Sequence, residues 1–332
     1  MAKLQIPQFW YSNDENTSPL TAKLLWPISK IYELGAKINR ATTPQKKSPL
    51  PVICIGNLTM GGAGKTPTAR AVLDLVKTHE KFDTPCFLMR GYGGAEKGPL
   101  EVNPKIHTSY NVGDEALMQA RYAPTIISTD RYAGAQLAKE MGYDIIIMDD
   151  GFQNPQLKKE LSLIVIDGGF GFGNGHVFPS GPLRETVANG IKRARGAIII
   201  NRTDSVDLSA LGTFKQFDAS IELINKGGPD ENKKVIAFAG IARPEKFYDT
   251  LKSNGYNIHS RYSFPDHHVF TRGELDNIMD QADQSGVSII TTEKDWIRLS
   301  DNWRKKISYL KIKVNLDDRF QRTLMNFLDK LP

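Results

Sequence analysis

The sequence predicts an α/β protein built on a doubly wound, mostly parallel sheet, with an N-terminal amphipathic helix and a second, smaller α/β domain. From residue 51 onward, short apolar runs rich in β-branched residues alternate with amphipathic segments such as ARAVLDLVKTH. Such runs are typical of strands covered on both faces, and the amphipathic segments supply the covering helices. In chain order the runs are PVICIG, CFLMR, TIIST, YDIIIMD, LSLIVID and GAIIIN.

The alternation continues more loosely after about residue 215. VIAFAG, PEKFYDTLKSNG and VSIITTEKD follow, and RFQRTLMNFLDKLP at the end of the chain has the pattern of a helix. The polar stretch NKGGPDENKK is predicted to be an exposed turn. We therefore predict a helical segment over 1–45, a larger α/β domain over 46–215 and a smaller one over 216–332.

Composition narrows the classes of function. The 332 residues are 40% hydrophobic and carry a formal net charge of +6, which suits an anionic membrane face or a phosphorylated substrate. We expect no nucleic-acid partner, because no basic-aromatic module accompanies the charge, and we infer no obligate protein partner. Two isolated cysteines and the lack of an HExxH pattern leave magnesium as the expected metal. No window has the length of an apolar membrane span, so the protein is predicted to be soluble or peripheral.

The segment before the first strand has the pattern of an interfacial helix. Its lysines form a basic row beside an apolar stripe, so the apolar side chains would enter a bilayer surface while the lysines meet anionic lipid. The alternative is a stripe that packs on its own domain. Pro27 is expected to limit the continuous helix to one side of it. The stripe is Leu20, Leu24, Ile28, Ile31 and Ile38, and the row is Lys23, Lys30 and Lys37.

A phosphate-binding loop follows the first strand. PVICIG runs into NLTMGGAGKTP and then into a helix, the order that a P-loop requires, so the fold is predicted to be P-loop NTPase-like. Lys65 would reach the β- and γ-phosphates of a nucleotide, and the Thr66 hydroxyl would bind magnesium. The general pattern has glycine where this chain has Thr59. The predicted nucleotide-binding residues are Thr59, Met60, Gly61, Gly62, Ala63, Gly64, Lys65 and Thr66.

A pair of acidic residues ends the strand YDIIIMD. P-loop enzymes keep a magnesium-binding carboxylate at this place, which points to Asp149 and Asp150. Because neighbouring residues on a strand face opposite ways, one of the two is expected to face the metal directly. Asp149 is favoured as the strand-end residue, and Asp150 remains the alternative.

Several further blocks coincide with one family. Together with GNLTMGGAGKTP they resemble the tetraacyldisaccharide 4'-kinases, in the order of that family and over most of the chain. The family's loop reads GN-x-x-x-GG-x-GKTP, which accounts for Thr59. The blocks are RGYGG at 90–94, VGDEA at 112–116, DRYAG at 130–134, DDGFQ at 149–153, PLRE at 182–185, FPDHH at 264–268 and TTEKD at 291–295.

The resemblance implies a reaction and a location. An enzyme of this family would transfer the γ-phosphoryl group of ATP, with Mg²⁺, to the 4'-hydroxyl of an acylated glucosamine disaccharide 1-phosphate in lipid A synthesis. It would work as a peripheral protein at the anionic surface of the inner membrane of a Gram-negative bacterium, on the cytoplasmic face. An acylated substrate stays in the bilayer, which favours the interfacial role of the N-terminal helix.

The resemblance also assigns site residues. Asp114 matches the proposed catalytic base and His267 its partner, in a cleft that the smaller domain would close; His268 leaves the histidine assignment open. A carboxylate that accepts the hydroxyl proton makes a sugar oxygen a better nucleophile. Residues matched near the phosphate or substrate charge are Arg131, Arg184, Glu115 and Glu185. The family's usual histidine after DDGFQ is Asn154 here, so no role of that histidine transfers.

Two other P-loop activities compete with this interpretation. An ATP-dependent ligase acting on a small carboxylic acid would share the loop and the acidic strand end, but it would not need the PDHH and PLRE blocks or a membrane helix. A GTPase switch would carry an NKxD element, and GAIIINRTD has Arg202 where its lysine is expected.

Overall fold

The computed structural model describes residues 7–10, 19–224 and 234–332, arranged in two compact units. The larger unit contains residues 7–221 and 314–332, and the smaller contains residues 222–313. The predicted turn NKGGPDENKK lies, except for Lys234, outside the described residues.

The strands of the described chain are β1 (Val52–Gly56), β2 (Pro85–Met89), β3 (Leu100–Glu101), β4 (Thr125–Ile127), β5 (Ile145–Asp149), β6 (Leu161–Asp167), β7 (Gly196–Ile200), β8 (Gln216–Leu223), β9 (Lys234–Ala239), β10 (Asn257–Ser263), β11 (Ser288–Thr292), β12 (Ser308–Leu310) and β13 (Ile312–Leu316). The α-helices are α1 (Pro19–Thr42), α2 (Lys65–Val76), α3 (Ser109–Val112), α4 (Asp114–Ala120), α5 (Arg131–Glu140), α6 (Val187–Ile191), α7 (Pro244–Ser253), α8 (Arg272–Ser285), α9 (Glu293–Trp296), α10 (Asp301–Arg304) and α11 (Asp318–Leu328). Short 3₁₀ turns occupy Gln8–Trp10 and Ser209–Leu211.

The described strands of the large sheet follow the order β13–β8–β7–β6–β1–β5–β2–β4–β3. The pairs from β8 to β4 are parallel, and the two-residue β3 is antiparallel to β4. Strand β1 lies between β5 and β6, so the loop that follows it emerges beside the ends of both neighbours. Ligands of open α/β sheets bind outside these carboxyl ends.

Both faces of this sheet are covered, as the uninterrupted apolar runs predicted. On one face, the cluster formed by Ile53, Val72, Phe217 and Phe320 joins α2 and α11 to the sheet. On the other face, Cys54, Leu88, Ile146, Ala135 and Val187 belong to a cluster that includes α5 and α6. The predicted doubly wound architecture is therefore confirmed.

The smaller unit has its own parallel sheet, in the order β10–β9–β11–β12, which confirms the prediction of a second α/β domain. Phe247, Tyr248 and Leu251 of α7 pack in one apolar cluster of this unit. Leu275 and Ile278 of α8 pack in another. The predicted bounds of the second domain, 216–332, differ from those of the smaller unit at the end of the chain, because residues 314–332 belong to the larger unit.

The N-terminal helix α1 is continuous through Pro27, so the expectation that this proline limits it to one side was wrong. Proline removes one backbone N–H from the helical ladder, and the turns on both sides hold here without it. The Ser29 hydroxyl anchors the inner face of α1, donating to Val177 O at 2.8 Å. Tyr32 contacts Phe178 with ring centroids 5.5 Å apart.

The predicted apolar stripe of α1 points away from the domain. Each of its five predicted members is more than half exposed, from Ile28 at 51% to Ile31 at 71%. Trp26 and Leu34 are more than half exposed as well. The alternative, in which the stripe packs on its own domain, therefore fails. None of the described helices is long and apolar enough to cross a membrane.

The packing of α11 on the large sheet gives a stability prediction. Phe320 is 1% exposed and meets Phe217 edge to face at 5.1 Å. Phe320→Ala should lower the free energy of unfolding of the larger unit by about 3–5 kcal/mol, because it leaves a cavity in the core. Urea unfolding followed by circular dichroism measures this loss. The exposed neighbour Arg322→Ala serves as control, and equal losses in both variants would contradict the packing role.

Candidate functional site

The predicted phosphate loop connects β1 to α2 across residues 57–64. Gly64 precedes α2 with left-handed backbone angles, φ 84° and ψ 20°, and a Cβ there would lie 2.5 Å from Ile200 Cδ1. Glycine is therefore required at this position. A Cβ on Gly62 would meet nothing within 4 Å, so the protein itself does not demand glycine there. Lys65 and Thr66 form the first turn of α2, where backbone N–H groups favour an anion.

Hydrogen bonds attach this loop to the PLRE segment. Met60 N donates to Pro182 O at 2.7 Å, and Arg184 N donates to Leu58 O at 2.7 Å. Thr59 is buried and forms an antiparallel bridge with Leu183. Thr59, which departs from the general P-loop pattern, thus serves as part of the connection between the two segments.

Asp150 binds cations from both of these segments. Its carboxylate accepts two hydrogen bonds from the Arg184 guanidinium, at 2.9 and 3.2 Å. The Lys65 Nζ lies 3.7 Å from Asp150 Oδ2. Burial alone would raise the pKa of Asp150, but Lys65 and Arg184 outweigh it and hold the pKa below its usual value. Asp150 is therefore an ionised anchor for two cations.

Asp149 lies in a different environment and is only 2% exposed. Its Oδ2 accepts a hydrogen bond from Gln119 Nε2 at 3.0 Å, while its Oδ1 is buried and has no hydrogen-bond partner among the described residues. Burial, followed by the nearby carboxylates of Glu115 and Asp150, raises the pKa of Asp149 to about 7, and Lys65 opposes the rise. An unpartnered buried carboxylate oxygen is costly unless a ligand binds it.

A short chain of side chains fixes Gln119. Arg70 Nε donates to Gln119 Oε1 at 2.8 Å, and Arg70 Nη2 donates to Met118 O at 3.0 Å. Gln119 Nε2 also lies 3.5 Å from Thr66 O, so the amide links Asp149 to the start of α2. Sequence reasoning did not single out Gln119 or Arg70. The sequence offered one indication of them, since each is a polar residue on an otherwise apolar face of its helix.

The donor set fits a magnesium ion. Mg²⁺ prefers oxygen ligands and commonly takes one or two protein groups together with phosphate and water oxygens. The Asp149 Oδ1 atom and the Thr66 hydroxyl offer such ligands near the phosphate loop. Among the residues that the structure describes, no group of three or more His, Cys, Asp or Glu side chains forms a ready metal site.

The turn that carries Asp114 is held by the RGYGG block. Asp114 is the first residue of α4, the helix that also carries Gln119. Gly113 has φ 88°, and a Cβ there would lie 2.2 Å from Tyr92 O. Ala95 N and Glu96 N donate to the carbonyls of residues 110 and 111. The fold therefore brings Asp114 and Glu115 onto the helix that contacts Asp149, consistent with the effect of Glu115 on the pKa of Asp149.

The other charged residues of the resemblance are mostly buried. Arg131 begins α5, is 4% exposed and donates to Ser128 O. Burial and the neighbouring Arg90 lower its pKa to about 10. Glu185 is 4% exposed and accepts hydrogen bonds from Arg193 and Gln153.

The two candidate histidines of the smaller unit have distinct environments. His268 stacks on Phe264, with ring centroids 4.8 Å apart, and its Nε2 lies 3.0 Å from Glu274 Oε2. His267 has φ 57°, its backbone N–H donates to Gly240 O, and its Nε2 lies 3.1 Å from Lys294 Nζ. His268 is thus held by packing within its own loop. His267 and Asp114 belong to different units.

The comparison with protein families agrees with this arrangement. The model of the tetraacyldisaccharide-1-P 4'-kinase family matches residues 21–329. The chain belongs to this family. The resemblance drawn from the sequence blocks is thereby confirmed, as is the prediction of a kinase, and the ligase and GTPase alternatives are set aside.

Individual relatives support the assignment. The tetraacyldisaccharide 4'-kinase of Parvibaculum lavamentivorans is 42% identical over 318 residues, which cover 93% of this chain and 92% of the relative. That of Rhodospirillum rubrum is 39% identical over 322 residues, 95% of each chain. The crystal structure of LpxK from Aquifex aeolicus in complex with ATP is 27% identical, with a TM-score of 0.75, and covers 93% of this chain and 99% of that one.

The acidic pair predicts opposite effects of pH on stability. Because the pKa of Asp149 is raised, its ionisation destabilises the fold progressively as pH rises from about 4 through 7. Without divalent cations or nucleotide, Asp149→Asn should have a higher free energy of unfolding than wild type. This difference should be larger at pH 8 than at pH 5, by on the order of 2 kcal/mol.

The neighbouring variant serves as the matched comparison. Because the pKa of Asp150 is lowered, Asp150→Asn should be less stable than wild type at neutral pH, and the difference should shrink as pH falls. Chemical denaturation at several pH values measures the free energy of unfolding of both variants. A loss of stability in Asp149→Asn that grows with pH would contradict the proposed state of that carboxylate.

Proposed function

We propose that this chain transfers the γ-phosphoryl group of ATP to the 4'-hydroxyl of tetraacyldisaccharide 1-phosphate, a step of lipid A synthesis. The observation that carries the proposal is the buried Asp149 Oδ1 beside the start of the phosphate-loop helix, which has no hydrogen-bond partner in the described part of the chain. The family and the relatives named tetraacyldisaccharide 4'-kinase supply the acceptor. The LpxK structure in complex with ATP supplies the donor.

The phosphate loop would hold the nucleotide. Backbone N–H groups from Gly61 to Lys65, at the N-terminus of α2, would bind the phosphate oxygens, with the Lys65 ammonium at the β- and γ-phosphates. Lys65 already lies near Asp150, so its ammonium is held close to the loop before ATP arrives. Arg184, fixed by two hydrogen bonds to Asp150, would add positive charge for the transferred group.

Thr66 and Asp149 would hold magnesium. The bound ion would neutralise charge on the β- and γ-phosphate oxygens. Asp150 already binds Lys65 and Arg184, which favours Asp149 as the direct ligand. Gln119 would keep Asp149 Oδ2 in place, so that Oδ1 stays available to a metal ion.

Asp114 would act as the general base. Its carboxylate would accept the proton of the 4'-hydroxyl while that oxygen attacks the γ-phosphorus, and the bond to the bridging oxygen breaks to release ADP. His267 would orient or tune this carboxylate. Glu115 would act beside the magnesium site, since it influences the pKa of Asp149. Glu185 would position Gln153 and Arg193.

The exposed stripe of α1 suits a peripheral protein of the inner membrane, on the cytoplasmic face. Its apolar side chains would enter the headgroup boundary, and Lys23, Lys30 and Lys37 would meet anionic lipid. Such placement brings the enzyme to an acceptor whose acyl chains remain in the bilayer.

The assigned base gives a kinetic prediction. Asp114→Asn should lower kcat for transfer from ATP to tetraacyldisaccharide 1-phosphate by about 10²–10⁴-fold, because proton acceptance is lost. The binding of ATP should change little. Labelled phosphate transfer in mixed micelles measures kcat, and a fluorescent ATP analogue measures nucleotide binding.

The control is Asp276→Asn, an exposed aspartate of α8. It should retain wild-type kinetics. Wild-type turnover by Asp114→Asn would refute the role of Asp114 as base. ATP hydrolysis without any transfer to this lipid by the wild-type protein would refute the acceptor.

The stripe of α1 gives a binding prediction. Leu24→Asp combined with Ile31→Asp should weaken binding to phosphatidylcholine–phosphatidylglycerol vesicles by about tenfold or more, since each apolar side chain contributes roughly 1.5–3 kcal/mol when buried. Vesicle co-sedimentation measures the change. Ile106→Asp, which adds one negative charge at an equally exposed apolar residue outside α1, should bind as wild type does. Equal binding by all three proteins would exclude α1 as the membrane contact.

A further inference from the structure

The TTEKD block at 291–295 ends strand β11 and forms most of helix α9 in the smaller unit. Asp295, its last residue, is fully buried. A buried carboxylate is costly unless cations and hydrogen-bond donors compensate it. The groups that bind Asp295 therefore indicate what the block holds in place.

Asp295 connects α9 to Gly240, the residue after β9. Its Oδ2 accepts hydrogen bonds from Gly240 N at 3.0 Å and from the Thr292 hydroxyl at 2.6 Å. Its Oδ1 accepts a hydrogen bond from Arg298 Nη1 at 2.8 Å. Burial raises the pKa of Asp295, whereas Arg298 and the Thr292 hydroxyl oppose the rise. Asp295 thereby fixes the Arg298 guanidinium beside Gly240.

The same guanidinium reaches His267. Arg298 Nη1 donates to Gly240 O at 3.1 Å, and His267 N donates to that carbonyl oxygen at 3.2 Å. Arg298 Nη2 lies 3.5 Å from Nδ1 of the His267 ring. The Arg298 side chain is only 5% exposed, so packing limits its orientations. Asp295 therefore holds a cation that lies against both the backbone anchor and the ring of His267.

Lys294 lies at the other nitrogen of the His267 ring. Its Nζ is 3.1 Å from His267 Nε2 and 3.6 Å from Asp266 Oδ1. Because the two nitrogens point in different directions within the ring plane, a contact at each defines the orientation of the whole ring. The TTEKD block thus contacts His267 directly through Lys294 and indirectly through Asp295 and Arg298.

The backbone of His267 has a conformation that requires support from its surroundings. Its φ of 57° is left-handed, which is uncommon for a residue with a side chain. Such conformations persist where neighbouring contacts determine them, and they concentrate at functional sites. Gly240 O accepts the hydrogen bond from His267 N, while Asp295 and Arg298 hold the two ends of Gly240. The contacts around Gly240 therefore determine where the imidazole lies.

We propose that Asp295, Arg298 and Lys294 are positioning residues that fix the His267 imidazole during phosphoryl transfer. The proposal rests on the proposed function, in which His267 orients or tunes the Asp114 carboxylate. Enzymes commonly orient a catalytic side chain through a further group that contacts it. These residues would act through His267, so their loss should lower turnover and leave nucleotide binding unchanged.

A double-mutant cycle tests whether Arg298 acts through His267. In the full-length protein, Arg298→Met should lower kcat for transfer from ATP to tetraacyldisaccharide 1-phosphate by about tenfold or more, because misplacement of a catalytic group is costly. The KM for ATP should not change. In a His267→Ala background the same substitution should change kcat by less than about twofold, since the ring that Arg298 positions is absent. Labelled phosphate transfer in mixed micelles measures both constants.

Two further variants keep the test independent of folding, because Arg298→Met also leaves the buried charge of Asp295 without this cation. Lys294→Met changes a lysine whose side chain is 20% exposed. It should lower kcat by about threefold or more, and only when His267 is present. Arg298→Lys keeps a positive charge at the same position and should retain more turnover than Arg298→Met.

The matched control is Arg261→Met. Arg261 forms an ion pair with Glu245 in the same unit, at 2.8 Å. Its replacement should leave kcat at the wild-type value, with or without His267. Circular dichroism shows whether each variant is folded.

An equal loss of kcat from Arg298→Met with and without His267 would overturn the proposal, because it indicates a structural role. Wild-type turnover in folded Arg298→Met and Lys294→Met would overturn it as well. So would a raised KM for ATP at unchanged kcat, which assigns Arg298 to the nucleotide. Failure of the proposed function gives a different result. His267→Ala alone would then keep wild-type turnover, or the wild-type protein would transfer no phosphate to this lipid.

Discussion

The Asp150 carboxylate binds two cations that come from different parts of the chain. Lys65 arrives from the phosphate loop and Arg184 from the PLRE segment, while Asp150 itself follows β5. Backbone hydrogen bonds between residues 58–60 and 182–184 reinforce the same junction. The loop, the end of the central strand and the long segment after β6 are thus joined at one partly buried charge.

The adjacent acidic residues lie in different environments because Asp149 is the last residue of β5, whereas Asp150 follows the strand with a left-handed backbone, φ 55°. Lys65 and Arg184 balance the negative charge of Asp150, so ionisation of this carboxylate costs little free energy. Asp149 has one carboxylate oxygen bonded to Gln119 and, among the described residues, no hydrogen-bond partner for the other, so its charge is unfavourable until a cation binds. The larger unit therefore keeps one carboxylate at a cost in stability, as is common for functional sites.

Much of this arrangement was predictable from local sequence. The apolar strands have a composition that the buried sheet requires, and the left-handed turn before α2 requires Gly64. Other features depend on contacts between distant residues. Arg70 donates a hydrogen bond to Gln119. Lys159 and Arg193 each donate a hydrogen bond to a carbonyl oxygen of the turn that follows β5.

Two local rules also gave misleading predictions. Pro27 does not end the helix as expected, because the neighbouring turns and the hydrogen bond of Ser29 maintain α1. The return of the chain end to the larger unit depends on β13 joining β8, a pairing that local periodicity does not reveal. Long-range pairing and buried polar contacts therefore limited the prediction more than secondary structure did.

The division of roles between Asp149 and Asp150 is most directly tested by the affinity of Mn²⁺, a paramagnetic substitute for Mg²⁺, in the presence of ATP. Electron paramagnetic resonance titration can compare wild type with Asp149→Asn and Asp150→Asn. The account predicts that Asp149→Asn weakens Mn²⁺ binding by about tenfold or more, as loss of a direct ligand should, whereas Asp150→Asn changes it much less. The reverse order would assign the metal to Asp150 and contradict the account.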